Sequence, residues 1–224
     1  MSYWGEKEKA RAEDVLKRLA IGENVALVTD AGTPGISDPG AVVVRRALEE
    51  GYLVEGIPGP SAVTAALSVS GLPTEEFTFV GFIHSKSGPR GRELKRLSLE
   101  PRTLVFYESP HRIIDMLIDL ENAFGKERRA VLFKELTKMY ETIYRGTVSE
   151  ILDRLEEDTI AGEYVVVVEG HTRQESSGEE ALQEVAALMK RGLGRNEAVK
   201  TVASQYGISK KDLYARSLEQ KEEE

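Results

Sequence analysis

Apolar positions along the chain switch between two periods. Residues 6–21 place Ala12, Val15, Leu16 and Leu19 at helical spacing, and Gly22 ends the run. VALVT (25–29) is a continuous apolar stretch, the pattern of a strand buried on both faces. A helix over 41–50 closed by Gly51, a strand over 52–57, a helix of small residues over 61–70 and a strand over 77–83 follow. The series continues with a helix over 90–99, a strand over 103–107 (TLVFY), a helix over 110–123, a strand over 130–133 (AVLF) and a helix over 148–156. A strand over 164–170 (YVVVVEG) closes it. Strands alternating with helices at this spacing predict mostly parallel α/β layering. We read two lobes meeting near 81–90, each with its own sheet: an N-terminal lobe over 1–83 and a C-terminal lobe over 84–170.

Beyond Gly170 the pattern changes. HTRQESSGEE is polar and reads as a linker, and 179–191, 195–206 and 209–219 read as three short helices ahead of a charged C-terminus expected to be disordered. RNEAVKTVASQYGISKKDLY has the cadence of helix, glycine turn and helix. It reads either as a helical cap on the second lobe or as an RNA-contacting module carrying Arg195, Lys200, Lys210, Lys211 and Arg216.

Composition narrows the chemistry. The 224 residues suffice for one large domain or two small ones, and 41% hydrophobic with 30% charged residues reads as a globular protein with a solvated surface. No apolar run approaches the ~18 residues of a membrane span, and the charged, helical N-terminus is not a secretory signal. Cytoplasmic residence is the expectation. The absence of cysteine removes disulfides, thiolate catalysis and Cys-ligated zinc or iron–sulfur centres. His84, His111 and His171 are the only histidines and sit in no metal-binding spacing, so no metal site is expected. A net charge of -8 argues against non-specific coating of nucleic acid. Its distribution is uneven: Lys86, Arg90, Arg92, Lys95, Arg96 and Arg102 face only Glu93 and Glu100 between His84 and Arg102.

Four loops carry candidate chemistry. In DAGTPGISDPG, Gly32, Gly35 and Gly40 permit close approach and positive φ, Pro34 and Pro39 stiffen the path, and Asp30 stands at a strand end. The loop is neither a Walker A sequence nor G-x-G-x-x-G. It reads as a ligand cradle or as a structural loop whose Ser37-Asp38 pair caps the next helix. GIPGPSA (56–62) is a second loop of this type, in which Ser61 is a ligand donor or an N-cap. FYESPHR (106–112) and KELTK (134–138) put Glu108, His111, Arg112, Lys134, Glu135 and Lys138 at the ends of apolar strands, the signature of a lined cleft or of surface ion pairs.

DAGTPGISDPG, GIPGPSAV, GLPTEEFTFVGF, PRTLVFYESPHR, KELTK and RGTV, in that order, resemble the tetrapyrrole methylase superfamily, and within it the 16S ribosomal RNA 2′-O-ribose methyltransferases. The resemblance covers about residues 3–170, and the tail is similar to that family's C-terminal helical segment. It implies a two-lobed class III methyltransferase of α/β class with a small C-terminal helical segment, and S-adenosyl-L-methionine folded into the cleft between lobes. The family's cofactor loops fall on Asp30, Ala31, Gly32, Thr33, Pro34, Gly35, Ile36 and Ser37, and on Pro58, Ser61 and Ala62, with Tyr107 touching the cofactor from the second lobe. The implied substrate is a cytidine of 16S rRNA in the small ribosomal subunit, and the implied assembly is a homodimer. Family members carry about fifty further N-terminal residues, including a first strand, so the first sheet here is expected to lack a strand.

On this reading Glu108 is the first candidate base or orienter and His111 the second, with Arg112, Lys134 and Lys138 available to clamp phosphate. Lys86, Arg90, Arg92, Lys95 and Arg96 form the expected RNA contact, or else a solvated helix face. Two alternatives stand beside it: a methyltransferase acting on a tetrapyrrole or other small molecule, and a non-catalytic remnant that binds S-adenosylmethionine.

Overall fold

The two most apolar strand segments lie side by side at the centre of one sheet. In the computed structural model, which describes residues 2–3, 8–171, 178–206 and 208–219, the strands are β1 (Phe77–Phe82), β2 (Thr103–Glu108), β3 (Arg129–Lys134), β4 (Thr142–Thr147) and β5 (Tyr164–Val168). Their order is β1-β2-β5-β3-β4. Only β1 and β2 run parallel; β5 is antiparallel to β2 and β3, and β4 is antiparallel to β3. The sheet is therefore mixed, which corrects the expectation of a mostly parallel one. The hairpin strand β4 (TIYRGT) went unpredicted because Thr142 and Arg145 are exposed and its apolar signal is confined to Ile143 and Tyr144.

Alternation along the central strands explains the layering. Leu104, Phe106, Leu132, Val166 and Val168 point to one face, where they meet α4 (Ser87–Leu97), α5 (Ile113–Phe124) and α6 (Val148–Glu156). Val105, Val131, Phe133, Val165 and Val167 point to the other, where Val63, Ala66 and Leu67 of α3 (Ala62–Ser70) cover them. Every residue of β5 is buried, as its unbroken YVVVV run requires. A capping box between Thr147 and Glu150 starts α6.

Ahead of the sheet, α1 (Glu8–Ala20) and α2 (Ala41–Glu49) pack through Ala12, Val15 and Val43. The predicted strands over 25–29 and 52–57 do not form. Val28 is 82% exposed and Leu53 85% exposed, and neither segment joins a ladder. Apolar patterning supplies a strand's side chains, but its backbone needs a neighbouring strand to pair with. The expectation of a sheet in each lobe is corrected accordingly, because among the described residues all five strands belong to one sheet.

The chain divides into two compact units, 1–170 and 171–224, and the expected lobe boundary near residue 83 falls within the first. In the second unit α7 (Gly178–Lys190), α8 (Arg195–Tyr206) and α9 (Lys210–Glu219) share a core of Ala181, Leu182, Val185, Ala198, Val199, Val202, Ala203 and Leu213. The three predicted helices are therefore present, while most of the polar linker and the end of the charged C-terminus lie outside the described residues. Among the described residues no helix is long and apolar enough to cross a membrane.

Candidate functional site

The loop that follows residue 28 is fastened at its flanks and open in its middle. Thr29 donates from Oγ1 to Asp38 Oδ2 at 2.5 Å, and the Gly40 amide donates to Glu8 Oε1 at 2.9 Å. Thus α2 is capped by a side chain from α1, not by Ser37 or Asp38, which corrects that alternative. Gly32 and Gly35 have φ of 68° and 81°, and the Ile36 amide donates to Thr33 O at 3.2 Å. Among the described residues the backbone amides of 30–33 and of Gly35 donate to no protein acceptor, Pro34 having none to donate. Asp30, Ala31, Gly32, Ile36 and Ser37 are exposed, while Thr33, Pro34 and Gly35 are half-buried.

One hydrogen bond joins this loop to the second. Thr33 Oγ1 donates to Pro60 O at 2.9 Å, across 27 residues of sequence. Pro58 is exposed, and Ala62 packs at the start of α3 against the sheet. Ser61 occupies the N-cap position of α3, as one of its two readings expected, but its side chain makes no capping bond and its hydroxyl is left for a ligand. Burial pushes the Tyr107 phenol above its usual value, an effect that the Val63 backbone partly offsets.

The sheet approaches the same place through β1. Phe79 and Phe82 pack edge-on to Tyr107, with ring centroids 5.0 and 5.8 Å away. The β1–β2 register shifts between Phe79 and Gly81, and Gly81 sits at φ 73°. A Cβ on Gly81 would lie 3.4 Å from Ser37 Oγ and 3.7 Å from the Phe79 ring. The bulge thus lets the first loop lie against the strand. Segments 33–37, 60–63 and 79–82 therefore converge beside Tyr107, bringing together the two loops and the strand end that the sequence singled out. Gly81, Phe79 and Phe82 were missed, although a lone glycine inside a strand pattern is itself a signal for a bulge or a close approach.

The charged residues at the sheet end fare differently. Glu108 is buried; its Oε1 accepts from the Ser109 amide at 2.8 Å and its Oε2 lies 3.0 Å from Arg112 Nη2. Arg112 Nη2 also donates to Ile83 O at 2.7 Å. The pair ties the end of β2 to the end of β1, and Glu108 has no exposed oxygen with which to take a substrate proton, which corrects its nomination as base. His111 is exposed.

Lys134 is buried as well, with Nζ 2.6 Å from both Asp158 Oδ2 and Thr159 O, so it is not a phosphate clamp. Asp158 also accepts from the Tyr144 hydroxyl. The Lys134 ammonium, followed by that hydroxyl, holds the Asp158 carboxyl below the usual carboxylate range. Lys138 pairs with Glu135 at 2.8 Å and Glu163 at 3.0 Å, in a turn where Glu135 and Thr137 adopt φ of 53° and 66°.

Arg90 is likewise a correction. It is 4% exposed, its Nε is 2.7 Å from Asp119 Oδ2, and it cannot contact RNA from there. Lys86, Arg92, Lys95 and Arg96 remain exposed and, among the described residues, unpaired. Arg92, Lys95 and Arg96 share one face of α4 through their i, i+3 and i+4 spacing. Among the described residues no acidic, histidine or cysteine cluster could hold a metal ion.

The chain as a whole is similar to known proteins. Residues 4–152 match the family of Tetrapyrrole (Corrin/Porphyrin) Methylases. The ribosomal RNA small subunit methyltransferase I of Xylella fastidiosa (strain Temecula1) is 44% identical over 209 residues, covering 92% of this chain and 77% of the relative. That of Escherichia coli O157:H7 is 43% identical over 215 residues, covering 95% and 75%. Among solved structures, a uroporphyrin-III C-methyl transferase from Thermus thermophilus, complexed with S-adenyl homocysteine, aligns with a TM-score of 0.50 at 20% identity, covering 74% of each chain. That likeness shows the class III fold, and the identity of the relatives shows the kinship. The chain belongs to the tetrapyrrole methylase family and, within it, to the ribosomal RNA small subunit methyltransferase I group.

Proposed function

We propose that this chain transfers a methyl group from S-adenosyl-L-methionine to the ribose 2′-hydroxyl of a cytidine in 16S rRNA of the small ribosomal subunit. The observation that carries the reading is the bond from Thr33 to Pro60, which joins the two loops where the family resemblance sets the cofactor. The residues present fit that cofactor. Free amides of 30–33 and Gly35 suit its hydrogen-bond acceptors, and the open space around Gly32 and Gly59 leaves their backbone approachable. The N-terminus of α3 and the uncommitted Ser61 hydroxyl suit its carboxylate.

When bound, S-adenosylmethionine supplies an electrophilic methyl carbon on a sulfonium. The chain's contribution is chiefly alignment, which is able to supply ~7–11 kcal/mol of the barrier. Tyr107, Phe82 and the Gly81 bulge form an apolar wall that keeps water from the reacting groups. With Glu108 held by Arg112, His111 is the residue that takes the hydroxyl proton, a contribution of roughly 10²–10⁴-fold. Lys86, Arg92, Lys95 and Arg96 on and beside α4 offer phosphate contacts. Action as a homodimer on the small subunit in the cytoplasm belongs to the same reading.

Calorimetry with S-adenosylmethionine, paired with transfer of labelled methyl to small-subunit particles, tests it. Wild type binds the cofactor and labels 16S rRNA at a ribose oxygen. Thr33→Val weakens cofactor binding about tenfold, the worth of one net hydrogen bond. His111→Asn keeps cofactor binding and loses at least 10²-fold in kcat. Absence of cofactor binding to the wild type, or labelling of a precorrin in place of rRNA, overturns the proposal.

A further inference from the structure

We propose that the tip of the β3–β4 hairpin docks a lysine- and arginine-rich protein surface of the small-subunit particle, holding a cationic side chain against Tyr140. The inference rests on the small subunit being the substrate. At the tip Met139 is 88% exposed and Tyr140 75% exposed, and Met139 is the most exposed large hydrophobic among the described residues. Neither side chain packs into a core cluster. Two adjoining large apolar side chains that add nothing to the fold's own core are suited to anchor a partner.

The turn that carries them is held in one conformation. Glu135 and Thr137 adopt φ of 53° and 66°, where residues other than glycine are strained. The Glu135 amide donates to Glu163 O at 2.9 Å, and the Glu163 amide returns a bond to Glu135 Oε1 at 2.8 Å. The Lys138 amide donates to Glu135 O at 2.9 Å and the Thr137 amide to Glu141 Oε2 at 2.6 Å. Gly162 makes the approach possible, since a Cβ there would lie 2.4 Å from Glu135 Oε1. A loop fixed in advance gives up little conformational freedom on binding.

Charge identifies the partner. The bonds between Glu135 and Glu163, with Lys134 Nζ 2.6 Å from Thr159 O, fasten the turn over 135–141 to the loop over 156–163. These two loops carry Glu135, Glu141, Glu156, Glu157, Asp158 and Glu163 against Lys138 within them and Lys134 beneath. Both lysines are committed, Lys138 to Glu135 and Glu163 and Lys134 to Asp158. Glu141, Glu156 and Glu157 are exposed and, among the described residues, have no cationic partner. Carboxylates repel RNA phosphates. An aromatic face with carboxylates around it receives a guanidinium or ammonium group, drawn to the ring by its quadrupole and to the rim by charge. Met139, unbranched and polarizable, suits the apolar stem of such a side chain.

The tip also stands at a useful place. Glu108 at the end of β2 pairs with Tyr164, and Tyr164 pairs with Lys134 at the end of β3. The hairpin therefore leaves the sheet at the end where Tyr107 meets the two glycine-rich loops. A protein contact there orients the particle toward the candidate site without using the cations of α4.

The test measures binding of the full chain to small-subunit particles and to protein-free 16S rRNA, with methyl transfer followed alongside. Met139→Ser/Tyr140→Ala is expected to weaken particle binding at least tenfold. It leaves the affinities for protein-free rRNA and S-adenosylmethionine, and the melting temperature, at wild-type values. Tyr140→Phe keeps wild-type particle binding and Tyr140→Leu loses it, because only the first retains a π face. Glu156→Gln/Glu157→Gln flattens the salt dependence of particle binding. Unchanged particle binding in the double variant at 139 and 140 overturns the inference. So does an equal loss on protein-free rRNA, which makes the tip an RNA-stacking platform. A change of oligomeric state in sedimentation also overturns it, since the tip then joins two copies of the chain. Methyl transfer with tip-independent particle binding sinks the docking role alone. Tip-dependent particle binding without methyl transfer sinks the proposed function and leaves the docking role standing.

Discussion

Arg90→Ala separates a structural arginine from an RNA-binding one. The guanidinium is 4% exposed and donates to Asp119 at 2.7 Å, with longer contacts to Ser85 O at 3.4 Å and Asp115 O at 3.5 Å. Removing one partner of a buried pair costs about 3–5 kcal/mol, because the other charge is stranded. Asp119 keeps 20% of its side-chain surface, so water meets part of its need and the lower end, about 3 kcal/mol, applies. In a unit spanning residues 1–170, at ~2–4 °C per kcal/mol, the melting temperature falls by roughly 6–12 °C. Replacing both partners, as Arg90→Met/Asp119→Leu, recovers most of the loss because no charge stays buried alone. Differential scanning calorimetry reads the stability, and a salt titration of rRNA binding on the same folded samples reads the charge. The reasoning is refuted if Arg90→Ala melts with wild type while its salt slope falls by about 0.7–0.9, the signature of a lost phosphate contact.

Glu108→Gln keeps methyl transfer within a few-fold of wild type while lowering stability by about 1–3 kcal/mol, since the amide keeps shape but not the ion pair with Arg112. A loss of 10²-fold in kcat with stability and cofactor binding intact restores Glu108 as the base. The Lys134–Asp158 pair sets a pH dependence. Because the folded-state pKa of Asp158 is depressed, its contribution is fully present above the unfolded carboxylate value and disappears as pH falls through the folded one. Urea unfolding should show wild type well ahead of Asp158→Asn at neutral pH and the gap closing in acid. A gap that stays constant from neutral to acid pH contradicts the assignment.

Local signals were readable where local physics decides. Helical spacing gave α1, α2, α3, α5 and α6 close to their observed ends, and the three helices of the second unit. The glycines and prolines of 30–37 and 56–62 marked loops that do meet. The strands over 25–29 and 52–57 were over-predicted because hydrophobic patterning reports side-chain preference, while a ladder needs a backbone partner that no pattern within the segment supplies. β4 was missed for the converse reason: its partner β3 makes it a strand, although its own residues barely signal one.

The sequence by itself determined the helices and the strands of the sheet other than β4, marked two glycine- and proline-rich loops that meet in the fold, and carried the motifs of the family. Only the tertiary structure decided which charges are free. Arg90 and Arg92 stand two residues apart in one basic run, yet one is locked to Asp119 from α5 and the other faces solvent. Glu108 and Lys134 looked like cleft residues and are buried ties, while Glu8, 32 residues away, caps the helix that Ser37 and Asp38 were expected to cap. The reason is that periodicity is a property of neighbours along the chain. The partner and burial of a charged group depend on residues the chain brings back from a distance, and those set whether its charge stabilises the fold or waits for a ligand.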